Sequence, residues 1–227
     1  MSKTMQGAFE MVYHHIDAPT IQDDEWGKTH KQRKLISRSG CGYRTKTLDY
    51  LRNQEWHFKR KIDGANLRVQ WNGEQALWNG KSNSFVCGAN LTEYMNETFL
   101  EEIFEEKFGR DKVVTLFGEH MGPKVQGNEL GLEKDEFILY DVNVDGTWLD
   151  TDGIMDTAEY FKIRTVYDLM DNCYPYDTLD ELIRRVSSGE FAQWEGIVAT
   201  PLVELRDQNG KRIIVKIKNR DYLREEE

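Results

Sequence analysis

The sequence predicts an α+β fold of two antiparallel β-sheets with flanking helices. Three Asn-Gly or Asp-Gly turn signals, each set between extended runs, read as hairpins. Helical patterns interrupt these hairpins without the strand–helix–strand alternation of a doubly wound parallel sheet.

Taken in chain order, residues 39–47 read as a loop and residues 56–68 as one strand-like run. Residues 67–71 and 74–78 alternate around Asn72-Gly73, the first hairpin. Residues 91–108 place Tyr94, Phe99, Ile103 and Phe104 at helical spacing. Residues 113–118 form an apolar strand. The second hairpin joins residues 137–144 to 147–149 through Asp145-Gly146, and residues 154–163 read as a further helix. Thr178-Leu179-Asp180-Glu181 is a capping box that opens a helix to about Val186. The third hairpin runs from 202–206 through Asn209-Gly210 to 211–218. With no repeat, no low-complexity tract and four scattered prolines, the simplest organisation is one domain over residues 1–227.

Of the 227 residues, 39% are apolar and 11% aromatic, enough for a globular core. No run approaches the ~18 apolar residues of a membrane span, and the N-terminus lacks a signal-peptide apolar stretch. The three cysteines, Cys41, Cys87 and Cys173, are odd in number and far apart with no C-x-x-C spacing, which argues against a disulfide framework or a zinc site and points to the cytosol. The net charge of −10 argues against a nucleic-acid partner until its distribution is considered. Residues 27–68 hold 12 Lys/Arg against 3 Asp/Glu, leaving 18 against 37 elsewhere. Such segregation can set a phosphate-tracking face on an acidic body, although a solvated surface is the ordinary alternative.

The chemistry centres on Lys61-Ile62-Asp63-Gly64. A lysine that attacks a phosphate must first lose its proton, which nearby cations favour. Lys59 and Arg60 adjoin it, and Lys216 and Lys218 share one face of a late strand. The K-x-D-G pattern alone would arise by chance in roughly one chain in twenty of this size. Edge-strand lysines are equally ordinary. Glu119 closes the strand at 113–118, and Glu195 precedes the apolar run from Gly196. Either can serve a ribose, a divalent metal or a plain salt bridge. Tyr140, followed by Asp141, is either a core residue or a base-stacking platform.

Together these pieces resemble the covalent nucleotidyltransferase superfamily of ATP-dependent ligases and capping guanylyltransferases. The likeness runs in order from Lys61 to Lys218, 158 of the 227 residues. Lys61-Ile62-Asp63-Gly64 resembles the first motif and Gly80-Lys81-Ser82-Asn83 a second, basic one. Phe117-Gly118-Glu119 resembles the third, with Leu139-Tyr140-Asp141-Val142 as the aromatic strand after it. Glu195-Gly196-Ile197-Val198 and Val215-Lys216-Ile217-Lys218 resemble the last two. The stretch from Gly118 to Asn128, together with Asn66, is similar to the phage nick-sealing RNA ligases, because DNA ligases usually carry arginine where Asn66 stands.

This resemblance implies the nucleotidyltransferase (ATP-grasp-like) ligase fold, with nucleotide held between the sheets. It implies ATP as AMP donor, Mg²⁺ or Mn²⁺ as metal, and RNA ends, in a nicked duplex or RNA/DNA hybrid, as substrate. Lys61 becomes the lysyl-AMP nucleophile with Ile62 beside it at the nucleotide. Asn66 and Glu119 contact the ribose, Lys81 the phosphates or the nucleic-acid end, and Tyr140 the base. Glu195, with Asp63 and Asp141, holds the metal, while Lys216 and Lys218 neutralise the α-phosphate. Arg60 departs from the pattern, since that group often carries glutamate there, and arginine only donates hydrogen bonds. Nine residues follow Lys218, so no C-terminal accessory domain is expected. The basic 27–61 region, or a partner protein, would take its place. The rival expectations are a DNA ligase, a guanylyltransferase and a non-catalytic nucleic-acid-end binder on the same fold.

Overall fold

The structure, a computed structural model, describes residues 11–20, 42–81, 87–170 and 175–221. These divide into two compact units. One holds the described residues up to His14 together with Asp63–Leu169. The other holds the described residues from His15 to Ile62 and those from Met170 onward. Each unit is built on one sheet, and every strand pair is antiparallel.

The first unit carries β2 (Ala65–Trp71), β3 (Ala76–Gly80), β4 (Val114–Met121), β5 (Glu136–Val144) and β6 (Thr147–Trp148). These strands stand in the order β3-β2-β4-β5-β6. Leu67, Val69 and Trp71 alternate along β2 onto one face of the sheet. There they pack with α2 (Ala89–Thr98), α3 (Glu101–Phe108) and α4 (Thr151–Phe161). Trp71 stacks on Phe104 with centroids 5.6 Å apart. Burying one such ring contributes about 1.5–3 kcal/mol. The predicted helix over 91–108 is two helices. Phe99 leaves helical geometry at φ −106°, ψ 61°. It turns instead into the core, edge-on to Phe137 at 5.1 Å, and this buried contact outweighs one more turn of helix.

Asp145 and Gly146 both take positive φ, 51° and 87°, as a two-residue type I′ hairpin turn requires. The first hairpin pairs as expected but needs a four-residue connection, because Trp71 pairs with Ala76. The Asn72 carboxamide accepts from the backbone N of Glu74 and Gln75 at 2.9 and 2.8 Å, closing this wider turn.

The second unit orders its sheet β7-β1-β8-β9, from β1 (Glu55–Lys61), β7 (Tyr176–Thr178), β8 (Gly196–Pro201) and β9 (Val215–Lys218). It adds α1 (Lys46–Leu51), which starts at the end of the 39–47 stretch read as loop, and α5 (Leu179–Ser187). Thr178 caps α5 by accepting from Glu181 N, as the capping box predicts. The strand-like run from 56 is two strands, broken at Ile62-Asp63-Gly64.

The third hairpin differs from expectation. Its paired strands are β8 and β9, and residues 202–214 form a long connection bridged at Arg206 and Arg212. Leu202 and Val203 stay 53% and 71% exposed, so their apolar alternation finds no covering layer. Among the described residues no helix is long and apolar enough to cross a membrane.

Candidate active site

In the second unit, alternation along β1 sends Trp56 and Phe58 into the core and sets Lys59 and Lys61 on the opposite face. Lys61 pairs across to Gly196, and Gly196 pairs on to Lys218, so one row crosses three strands. The next row on that face is Lys59, Val198 and Lys216. Four lysines therefore share one side of this sheet.

Glu195 enters at the head of β8 and accepts hydrogen bonds from both the Lys61 and Lys218 ammonium groups. Side-chain exposures of 24%, 15% and 13% for Lys61, Glu195 and Lys218 mark a shielded trio. Burial pushes the Glu195 carboxyl up. The Lys218 and Lys61 ammoniums beside it outweigh that and hold it below the usual carboxylate value. Burial also lowers Lys216, and the Lys218 and Lys61 charges lower it further. A lysine so depressed is poised to meet an anion. Gly196 has φ +151°, and a Cβ there would lie 2.1 Å from the Ile217 carbonyl oxygen, so glycine is what lets β8 and β9 close beside Glu195.

In the first unit, Asn66 on β2 lies directly across from Glu119 on β4, and its amide donates to the Tyr140 hydroxyl. The register between β4 and β5 slips at Phe117/Gly118. Phe117 pairs with Asp141 and Gly118 with Leu139, so the register skips Tyr140. This bulge turns two chain neighbours, Tyr140 and Asp141, toward one face of the sheet. Burial first, and then the Glu119 and Asp141 charges, raises the Tyr140 hydroxyl well above its ordinary value, keeping it a neutral ring. Asp141, 1% exposed, accepts from the Tyr13 hydroxyl. Gly64 leaves no room for a side chain, since a Cβ would stand 2.5 Å from the His120 carbonyl oxygen and 2.6 Å from Glu119 Cγ.

Sequence reasoning missed Tyr13 and His14. Tyr13 meets Tyr140 edge-on at 5.1 Å and stacks on His14 at 4.9 Å. It reaches Asp141 across 128 positions of chain, and no local pattern marks such an approach.

The remaining predicted residues are less engaged. Ile62 is buried, and Lys81 is exposed just past β3. Asp63 is exposed, and its backbone N lies 3.4 Å from Glu129 Oε1. Ser82, Asn83 and the basic residues 27–41 lie outside the described residues. Among the described residues no group of three or more His, Cys, Asp or Glu side chains gathers to hold a metal. No carboxylate cage is thus seen among the described residues of either unit. A magnesium-type ion needs none, because it binds through one or two carboxylates plus substrate phosphates and waters. Arg60 faces away from Lys61, with its guanidinium carbon 5.5 Å from the Trp194 ring centre.

The two antiparallel sheets and the shielded lysine–glutamate trio define a domain of the nucleotidyltransferase type. The family model of RNA ligase matches residues 54–218, and the chain belongs to that family. The fold is shared with solved structures of the Naegleria gruberi RNA ligase. Its complex with PPi is 14% identical with a TM-score of 0.60, covering 93% of this chain and 57% of that one. A mutant with AMP and Mn is 14% identical with a TM-score of 0.59 over the same shares. A further mutant with ATP and Mn gives 14% and 0.57, covering 93% and 61%. The chain thus spans less than two thirds of the length of these relatives. No curated protein sequence matches it.

Proposed function

We propose that this chain catalyses ATP-dependent ligation of RNA, joining a 5′-phosphate end to a 3′-hydroxyl end. The observation that carries this reading is Lys61 held by Glu195 beside Lys218, with Lys216 on the same face. Family membership and relatives that carry ATP, AMP and PPi support it.

In the first step Lys61 Nζ attacks the α-phosphorus of ATP. A P–N bond forms, the P–O bond to pyrophosphate breaks, and pyrophosphate departs. Glu195, held ionised by its two ammonium neighbours, accepts the proton that Lys61 sheds. Lys216 and Lys218 meet the charge that develops on the non-bridging oxygens. A divalent metal, held by the phosphates with Glu195 or a second carboxylate, would neutralise further charge. An oxygen of the RNA 5′-phosphate then attacks the AMP phosphorus and the P–N bond to Lys61 breaks, after which the 3′-hydroxyl oxygen bonds to the 5′-phosphorus and AMP leaves. Asn66 and Glu119 serve the ribose and Tyr140 the base. We place the reaction in the cytosol on a nicked duplex or RNA/DNA hybrid, with the basic 27–61 segment or a separate protein gripping the nucleic acid.

Incubation with α-labelled ATP and Mg²⁺ or Mn²⁺ should label the protein. Lys61→Ala or a chelator should abolish the label. Label that survives Lys61→Ala overturns the reading, and sealing of DNA nicks in preference to RNA overturns the substrate assignment.

A further inference from the structure

Each member of the reacting trio has a chain neighbour that lies against the same short segment, and this pattern does not serve the nucleotide directly. Arg60 adjoins Lys61, Trp194 adjoins Glu195, and Asn219 adjoins Lys218. The Arg60 guanidinium stands over the Trp194 indole. Trp194 in turn stacks on Phe191 at 4.8 Å with the rings 17° apart. From the far side Asn219, 8% exposed, donates its carboxamide to the carbonyls of Phe191 at 2.5 Å and Trp194 at 2.6 Å. The Asn219 backbone N donates to the Glu195 carbonyl at 3.1 Å.

The segment 191–195 that presents Glu195 is therefore clamped between the strand bearing Lys61 and the strand bearing Lys218. We infer that Arg60, Trp194 and Asn219 form a positioning layer behind Lys61, Glu195 and Lys218, holding the Glu195 carboxylate on the nucleophile while an anionic triphosphate approaches.

The physical need is specific. A triphosphate attracts both lysines and repels Glu195, so an unsupported carboxylate would swing out as the substrate arrives. A planar guanidinium on an indole, plus two amide hydrogen bonds, resists that swing without adding charge to the reacting face. Alternation along β1 sets Arg60 opposite Lys61, so the residue that breaks the family's usual glutamate acts here on geometry and not on base choice.

The inference rests on the proposed adenylation of Lys61, and its test separates the two. Arg60→Ala should slow single-turnover lysyl-AMP formation about tenfold at saturating ATP, the order expected for loss of one partly desolvated cation–π contact. The KM for ATP should stay within about twofold, and the ATP-to-GTP preference should be unchanged. Arg60→Lys should recover most of the rate, because an ammonium still lies on the indole. Without any nucleotide, hydrogen exchange of the Asn219 carboxamide should be slow in the native chain and fast in Arg60→Ala. If Arg60→Ala does not fold, Trp194→Phe, which keeps a ring but a weaker one, should show the same changes in smaller measure. An unchanged rate, a shifted base preference or unchanged Asn219 exchange overturns the layer. If the native chain takes no label, the reaction assignment fails, while the Asn219 exchange still decides the layer.

Discussion

Replacing Glu195 by glutamine removes one negative charge from between two ammonium groups and changes little else in shape. In the native chain the carboxylate accepts from Lys61 and Lys218 at a side-chain exposure of 15%. Breaking a buried ion pair by removing one partner costs about 3–5 kcal/mol. Here the site is only partly desolvated and glutamine keeps one acceptor, so about 3 kcal/mol at neutral pH is expected. Urea unfolding followed by tryptophan fluorescence measures this as a lowered midpoint with unchanged slope.

The pH dependence fixes the cause of that loss. Glu195 titrates below its ordinary value of 4.5 in the folded chain, so its contribution is fully present above pH 4.5 and disappears as pH falls through the folded value. The gap between native and Glu195→Gln should therefore be flat from pH 7 to about pH 5 and narrow below 4.5. Lysyl-AMP formation should drop 10²–10⁴-fold, the range for loss of a positioned base. Equal stability at pH 7, or a gap that persists undiminished in acid, would refute the pairing on which the mechanism depends.

Gly196→Ala should lower stability by about 3 kcal/mol or more, combining backbone strain at φ +151° with a Cβ 2.1 Å from the Ile217 oxygen, and denaturant midpoints will show it. Tyr13→Phe keeps the ring stacked but removes a hydroxyl donor from the buried Asp141, so thermal unfolding should report a loss of about 1–3 kcal/mol.

Legibility from sequence tracks the range of the interaction responsible. Asp145-Gly146 announces its turn because the required positive φ is a property of those two residues. The Thr178 cap is equally local. Lys61, Glu195, Lys216 and Lys218 sit at strand ends or on a strand face, but only the ordered family resemblance separates them from ordinary edge lysines and salt bridges. The break at Phe99 could not be read, since both helices keep helical spacing and a ring from β5 decides the matter. The pairing partners of the third hairpin are illegible for a similar reason. Leu202, Val203 and Leu205 have a strand's composition but no layer above them. In sequence Arg60 poses a question about the nucleobase, because the Trp194 ring beneath its guanidinium lies 134 positions away.

The register slip at Tyr140 in β5 bears on how this chain tolerates changes of length. Deleting one residue there would close the bulge and let β4 and β5 pair in continuous register. The sheet would gain a hydrogen-bonded pair and lose its kink, yet strict alternation would send either the tyrosine or the carboxylate to the helix-packed side. A shorter, more regular strand would thus gain pairing at the cost of burying a polar group in the apolar core, and on the proposed reading it would bind nucleotide worse. Residues 202–214 are the opposite case, with an exposed hairpin tip that can lengthen by several residues at small entropic cost. Single-residue insertions and deletions in β5 are therefore functional changes, whereas those at the 202–214 tip are expected to be nearly silent.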